Sequence, residues 1–328
     1  MRNYLILILI LFSAFGKAQS DWILKHFESD FYKNQFTGFY LYDPETKEIL
    51  ESYNGDKNFT PASNVKILSL YSALKVLPDS IPALRYERKD GNLHIEGLGD
   101  PTFLHPQFKS VTRALDFLKD EPSDIYLHWG KLEGPRMGLG WSWEDYEKHY
   151  SPQFSEFPLY GNMATITKGR GKARTIPMTL ADSVEYKESL FSREFYENKF
   201  YIGSRNGQTT RVPFVVKDEL IRQILSDAIG KEVYLTDEPL SKNADVLFSL
   251  PSDLVYKRMM EISDNFLAEQ ILLMVSAQIS STMSTDRAIQ YVKSKYLPCA
   301  DADARPSRRA RSRPALHLQP HRAVRGGR

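Results

Sequence analysis

A serine hydroxyl and a lysine amine three positions apart, Ser63 and Lys66, stand in the stretch Phe59-Thr-Pro-Ala-Ser-Asn-Val-Lys-Ile-Leu-Ser-Leu70. A hydroxyl is a weak nucleophile at neutral pH and needs a base within hydrogen-bonding reach. A lysine supplies one only when desolvation lets it spend time neutral. Pro61 suits a first helical turn, and Val65, Leu68, Tyr71 and Leu74 recur at the spacing of a helix with one buried face. The pattern predicts a helix starting near residues 61 to 63, with Ser63 and Lys66 one turn apart on one side. Backbone N–H groups free at that start would favour an oxyanion. Spacing alone is a cheap signal. Ser72-Ala-Leu-Lys75 shares it, two to three turns into the same helix and away from those amides.

A second hydroxyl and a carboxamide occur at Ser263 and Asn265, within Glu261-Ile-Ser-Asp-Asn-Phe-Leu-Ala-Glu269. Such a pair can relay a proton, donate to a substrate carbonyl and accept from a lysine. Ser52-Tyr-Asn54, Ser204-Arg-Asn206 and Ser241-Lys-Asn243 have the same spacing. A helix cap would equally explain Ser263, since an apolar-periodic run follows it.

Several elements must position these groups. Helical periodicity predicts helices over residues 21–35, 110–119, 217–228, 252–262 and 264–278. Alternation and turn signals predict strands at 38–43 and 48–52, a hairpin of 83–88 with 92–96 around Asp90-Gly91, and a strand at 124–129. Strands and short loops dominate residues 163–249, and Gly138 to Tyr146 reads as a packed aromatic loop. The economical organisation is a helical domain (19–77 and 245–297) interrupted by a strand-rich insertion over 78–244. Residues 1–18, with Arg2 before an apolar run from Tyr4 to Phe15, read as a secretory leader cleaved near Ala18-Gln19. An uncleaved anchor is the alternative. The run is short for a span of about 20 residues, and no cysteine follows it to carry a lipid.

Four stretches in order resemble the class C low-molecular-mass penicillin-binding proteins, the D-alanyl-D-alanine carboxypeptidases and endopeptidases of bacterial cell-wall metabolism. They are Pro61-Ala-Ser-Asn-Val-Lys66, Asp90-Gly-Asn-Leu-His-Ile-Glu-Gly-Leu-Gly-Asp-Pro-Thr102, Gly140-Trp-Ser-Trp-Glu-Asp145 and Ser263-Asp-Asn-Phe-Leu-Ala-Glu269. The resemblance runs from about Gly38 to Tyr296. It implies an α+β, multi-domain chain with a penicillin-binding transpeptidase-like (β-lactamase-like) domain. It further implies Ser63 as acylated nucleophile, Lys66 as its base, Ser263 as proton relay and Asn265 as substrate clamp. The implied partners are peptidoglycan stem peptides and β-lactams, in the periplasm or otherwise outside the cytoplasm. No cofactor is implied.

The chain departs from that family at its end. A Lys-Thr-Gly strand should follow the second motif, and no Lys-Thr-Gly occurs in the 328 residues. From Pro298 onward there is no Phe, Tyr, Trp, Ile, Lys or Asn. We read 298–328 as an aberrant tail, a shifted frame or mis-assembled gene end, rather than a polyanion-binding arm, so that the domain lacks its C-terminal strands. The net charge of +2 divides into +6 there, from eight Arg and two Asp, and −4 before it. A nucleic-acid partner is not suggested by that acidic body. The single Cys299 has no disulfide partner, so the core must hold the fold, and 42% hydrophobic residues are ample for one. A metal site is not expected: His94-Ile-Glu96 with His105 is the nearest approach and no His-Glu-x-x-His occurs. Nor is there a Gly-x-Ser-x-Gly hydrolase turn. The competing function is a remnant that binds penicillin or peptidoglycan and turns nothing over.

Overall fold

The computed structural model describes residues 25–204, 207 and 209–297. The expected leader (1–18), the tail with Cys299 and Asn206 therefore lie outside the described residues. The chain is α+β and forms two compact units, residues 1–63 and 64–328.

In the first unit, β1 (Phe39–Asp43) and β2 (Glu48–Tyr53) pair antiparallel, Phe39 opposite Tyr53, with an irregularity at Leu41/Tyr42. Asp43 Oδ1 accepts from Glu45 N (2.8 Å) and Thr46 N (3.3 Å), the local bonding that lets an Asx residue turn a chain. The expected helix over 21–35 is helical only at 25–27 among the described residues and continues as turns. Aromatic packing competes with it. Phe27 stacks on Tyr53 (centroids 5.2 Å, 13°) and meets Tyr32 edge-on, which draws the segment onto the hairpin. Asn54 belongs to this unit, its amide donating to Thr37 O (2.9 Å).

The second unit opens with α1 (Lys66–Val76), entered through a 3-10 turn, Ser63–Val65. The helix thus starts as expected in place but as a tighter turn. Its buried face differs from the one the apolar spacing predicts. Val65, Leu68 and Leu74 are exposed, Leu74 by 64%, while Lys66, Ser69, Ser72 and Ala73 are buried. Small side chains at 69, 72 and 73 let α1 approach the apolar α5 (Asn265–Ile279) more closely than leucines would, and packing overrides the hydrophobic stripe.

Among the described residues between α1 and α4 (Ser252–Ile262) run ten strands and two α-helices, α2 (Arg113–Lys119) and α3 (Asp218–Ile229). Five strands form one sheet in the order β11 (Val233–Thr236), β5 (Ile125–His128), β4 (Asn92–Gly97), β3 (Ser80–Lys89), β12 (Asp245–Pro251). β11, β5 and β4 run parallel; β3 pairs antiparallel with both its neighbours. The β3–β4 hairpin turns at Asp90 and Gly91, both at positive φ (53° and 81°), as an Asp-Gly turn requires. One core, with Leu84, Ile95, Leu127, Phe200 and Phe214, lies among these strands and α2 and α3. A second holds α1, α4 and α5 together through Ala73, Val255, Met259, Leu267 and Ile271. A third, Leu272, Val275, Ala288 and Val292, joins α5 to α6 (Thr285–Tyr296). The sequence reading had no helix at α6, although Ser284 caps it, accepting from Arg287 N.

Candidate active site

Lys66 is the first residue of α1 and is 5% exposed. Its Nζ donates to Asn265 Oδ1 at 2.6 Å, across 199 positions of sequence. Burial pushes the amine below the ordinary lysine value, opposed by the carboxylates of Asp264 and Glu269. One hydrogen bond fixes the orientation of the partner's amide, since Asn265 Nδ2 donates to Tyr150 O (3.2 Å), leaving Oδ1 as the acceptor for the lysine.

The two helices that meet at this point explain the second motif. Ser263 ends α4 in the left-handed region (φ 57°, ψ 45°), and Asp264 N bonds back to Met259 O at 3.0 Å. Glycine usually takes that position, and a residue with a Cβ costs of order 1 kcal/mol there. Asp264 then caps α5, its side chain accepting from Leu267 N (3.0 Å). The N-cap role open to Ser263 therefore belongs to its neighbour, and Ser263 is exposed two residues before Asn265. Helix α5 is buried nearly all round, so its first turn presents Asn265 from a rigid support.

Gln270, wholly buried on α5, accepts from Ser155 N (2.8 Å) and donates to Gly99 O (2.7 Å) and Ser155 O (3.0 Å). Gly99 lies in the second resembling stretch, which thus acts as an anchor for α5. Gly99 has φ 85°, and a Cβ there would stand 3.1–3.3 Å from Met283, Gln270 and Met274. Asp100 beside it is buried and turned inward, accepting from Thr102 N (2.8 Å) and Oγ1 (2.7 Å); burial raises its pKa. The aromatic loop also reaches the site. Tyr150 gives its carbonyl to Asn265 and its hydroxyl to Asp145 Oδ1 (2.9 Å). Trp141 is half-buried and Trp143 exposed.

Ser63 opens the 3-10 turn that leads into Lys66, is exposed, and ends the first compact unit. Lys66 and Asn265 are brought together within the second unit. The rival spacings are accounted for otherwise. Ser72 Oγ donates to Leu68 O (2.7 Å) and Lys75 lies over the rings of Tyr71 and Tyr296 (5.5 and 6.0 Å). Ser241 N donates to Glu87 Oε1 (3.0 Å) at the sheet. Sequence reasoning passed over Tyr150, Asp264 and Glu269; the last two lie inside the stretch it quoted.

Among the described residues no group of three His, Cys, Asp or Glu could hold a metal ion, and no helix is long and apolar enough to cross a membrane. His94 Nδ1 and His128 Nε2 lie 2.9 Å apart, and His105 is buried elsewhere.

The D-Ala-D-Ala carboxypeptidase 3 (S13) family model matches residues 23–299. No curated protein matches the chain. Among solved structures, penicillin binding protein 4 from Haemophilus influenzae is 20% identical, with a TM-score of 0.55 over 79% of this chain and 67% of that one. The same protein complexed with a novel β-lactam is similar at 17% identity and TM-score 0.50, over 82% and 67%. At that identity the likeness shows the fold. With residues 23–299 matched, the chain belongs to the D-Ala-D-Ala carboxypeptidase 3 (S13) family, serine-type carboxypeptidases.

Proposed function

We propose that the chain is an exported, penicillin-binding D-Ala-D-Ala carboxypeptidase that forms an acyl-enzyme on Ser63. The observation that carries it is the 2.6 Å hydrogen bond between the buried Lys66 amine and Asn265 Oδ1. It unites the first and last motifs around a base whose burial favours its neutral form. In this reading Ser63 Oγ attacks the penultimate D-alanine carbonyl of a stem peptide and its proton passes to Lys66. Ser263 relays that proton to the leaving D-alanine amine. Asn265 orients both amine and substrate. Water then cleaves the ester and releases the shortened peptide, whereas a β-lactam stays at the acyl stage.

The domain organisation is part of the proposal: residues 78–244 are an insertion in a transpeptidase-like domain of 19–77 and 245–297. The absence of Lys-Thr-Gly from the sequence supports a second reading, a penicillin-binding remnant without turnover. Fluorescent penicillin tests the first reading. A covalent adduct is expected on the parent chain, lost in Ser63→Ala; a folded parent that takes no label would end it. Release of D-alanine from a stem peptide separates the enzyme from the remnant.

A further inference from the structure

Glu269 follows Asn265 by four residues on α5, one turn along and on the same face. It is an ionisable group in a helix whose neighbours Phe266, Leu267, Ala268 and Gln270 to Ser276 are all buried. An acidic side chain in such surroundings calls for a partner. Gly138 makes room for it: a Cβ there would stand 2.8 Å from Glu269 Oε1, and 2.5 Å from Trp141 Nε1. A side chain at 138 would therefore displace the carboxyl from where it lies. Four charged groups share this region: Lys66 at the start of α1, Asp264 at the N-cap of α5, Glu269 itself, and Asp286 in the first turn of α6. Asp264 is engaged in capping, and Asp286 carries the same sign as Glu269. Lys66 is the cation among them.

We propose that Glu269 is a positioning residue for Lys66. Asn265 seats the lysine amine through its hydrogen bond, and the Glu269 carboxyl, one turn along the same face and acting through space, sets how readily that seated amine gives up its proton. The coupling runs both ways. Lys66 and Glu269 each move the other's titration, the carboxylate holding the proton on the amine and the ammonium favouring the ionised carboxyl. Burial, with Asp286 adding to it, nevertheless raises Glu269 to about 7, so it passes from carboxylic acid to carboxylate near neutral pH. An acid at 269 frees the amine to act as a base; a carboxylate keeps it charged.

The inference rests on Lys66 being the base for Ser63, but the coupling can be tested without turnover. Competitive acetylation of the full chain with labelled acetic anhydride, read by mass spectrometry at Lys66 across pH, reports the neutral fraction of that amine. Glu269→Gln removes the charge and keeps the shape. Between about pH 7, above which Glu269 is ionised in the parent, and the lysine's own midpoint, Lys66 is expected to react about tenfold more, one pH unit of displacement. Superimposable curves in a variant with parental circular dichroism would overturn the proposal. The reciprocal variant guards against a Gln that disturbs folding: in Lys66→Met, the Glu269 carboxyl, followed by carbon-13 NMR of labelled glutamate, is expected to titrate higher than in the parent. An unmoved Glu269 there counts against the coupling. Penicillin labelling in the same samples reads the parent activity separately, so a chain that shows the coupling without an adduct retains the positioning role of Glu269 and loses the carboxypeptidase reading.

Discussion

The hydrogen bond between Lys66 Nζ and Asn265 Oδ1 is useful to a nucleophile only while the amine can be neutral, which makes the uncharged carboxamide at 265 essential to the proposed chemistry. A carboxylate there would pair with the ammonium and hold its proton. Asn265→Asp is therefore expected to slow penicillin acylation by roughly 10²-fold or more at neutral pH, the scale of a lost general base. Part of the rate should return as pH rises toward the elevated lysine value. Stopped-flow acylation across pH 7 to 10 measures both effects. A variant with parental rates would remove Lys66 from the mechanism. The resemblance of the stretches around Lys66 and Asn265 picked out both partners of this hydrogen bond before the fold brought them together. Tyr150 was not legible in the sequence, since it contributes a backbone carbonyl and any residue type could. Glu269 lay inside a quoted stretch and was passed over, because nothing in the sequence places it on the face of α5 that Asn265 turns to Lys66.

At the scale of elements, periodicity located α3, α4 and α5 to within a residue or so, and the Asp90-Gly91 turn gave the β3–β4 hairpin. What it could not give was which face of α1 is buried, because a stripe of Val65, Leu68 and Leu74 looks like a core face until the partner is known. The partner is α5, buried nearly all round, against which α1 packs with Ser69, Ser72 and Ala73 buried. Helix α6 escaped because only Ala288 and Val292 of its residues are buried. Gln270 is the least predictable position of all: a polar residue in an apolar run, whose three hydrogen bonds are to backbone groups far away in sequence. Its replacement tests how firmly α5 is held. Gln270→Leu would leave Ser155 N, Ser155 O and Gly99 O without these bonds in a buried setting, and each such group costs about 1–3 kcal/mol. Allowing for relaxation, a loss of about 3 kcal/mol is expected in urea unfolding, against a change within about 0.5 kcal/mol for Leu74→Gln on the exposed face of α1. Equal effects at the two positions would mean that the anchor does not exist.

At the scale of the whole molecule, the buried His105 and His128 and the half-buried Glu269 make opposing contributions to how stability follows pH between 7 and 5. His105 accepts from Gln107 N through Nδ1 (3.1 Å), and burial, with Arg211 and Arg258 adding to it, pushes it down to about 4. His128 is pushed to about 4 by burial and then by His94, against the pull of Glu87 and Glu238. The unfolded chain takes up protons near pH 6.5 that these folded imidazoles refuse, so acidification favours unfolding, by about 2 kcal/mol per histidine at pH 5. Glu269 works in the opposite sense. Raised to about 7, it is protonated in the folded chain over a range where the unfolded carboxyl, near 4.5, is ionised. Acidification from pH 7 to 5 therefore stabilises the fold through Glu269 by about 2 kcal/mol. The three contributions leave a net loss of about 2 kcal/mol over that interval. Glu269→Gln deletes the opposing one, so its loss is expected to be about 4 kcal/mol, while His105→Gln in the parent should bring the net close to zero. Urea midpoints at pH 7, 6 and 5 for the three chains decide it. If the Glu269→Gln midpoints run parallel to the parent's, Glu269 does not change its protonation on folding in this range, and the neutral-pH switching of charge beside Lys66 falls with it.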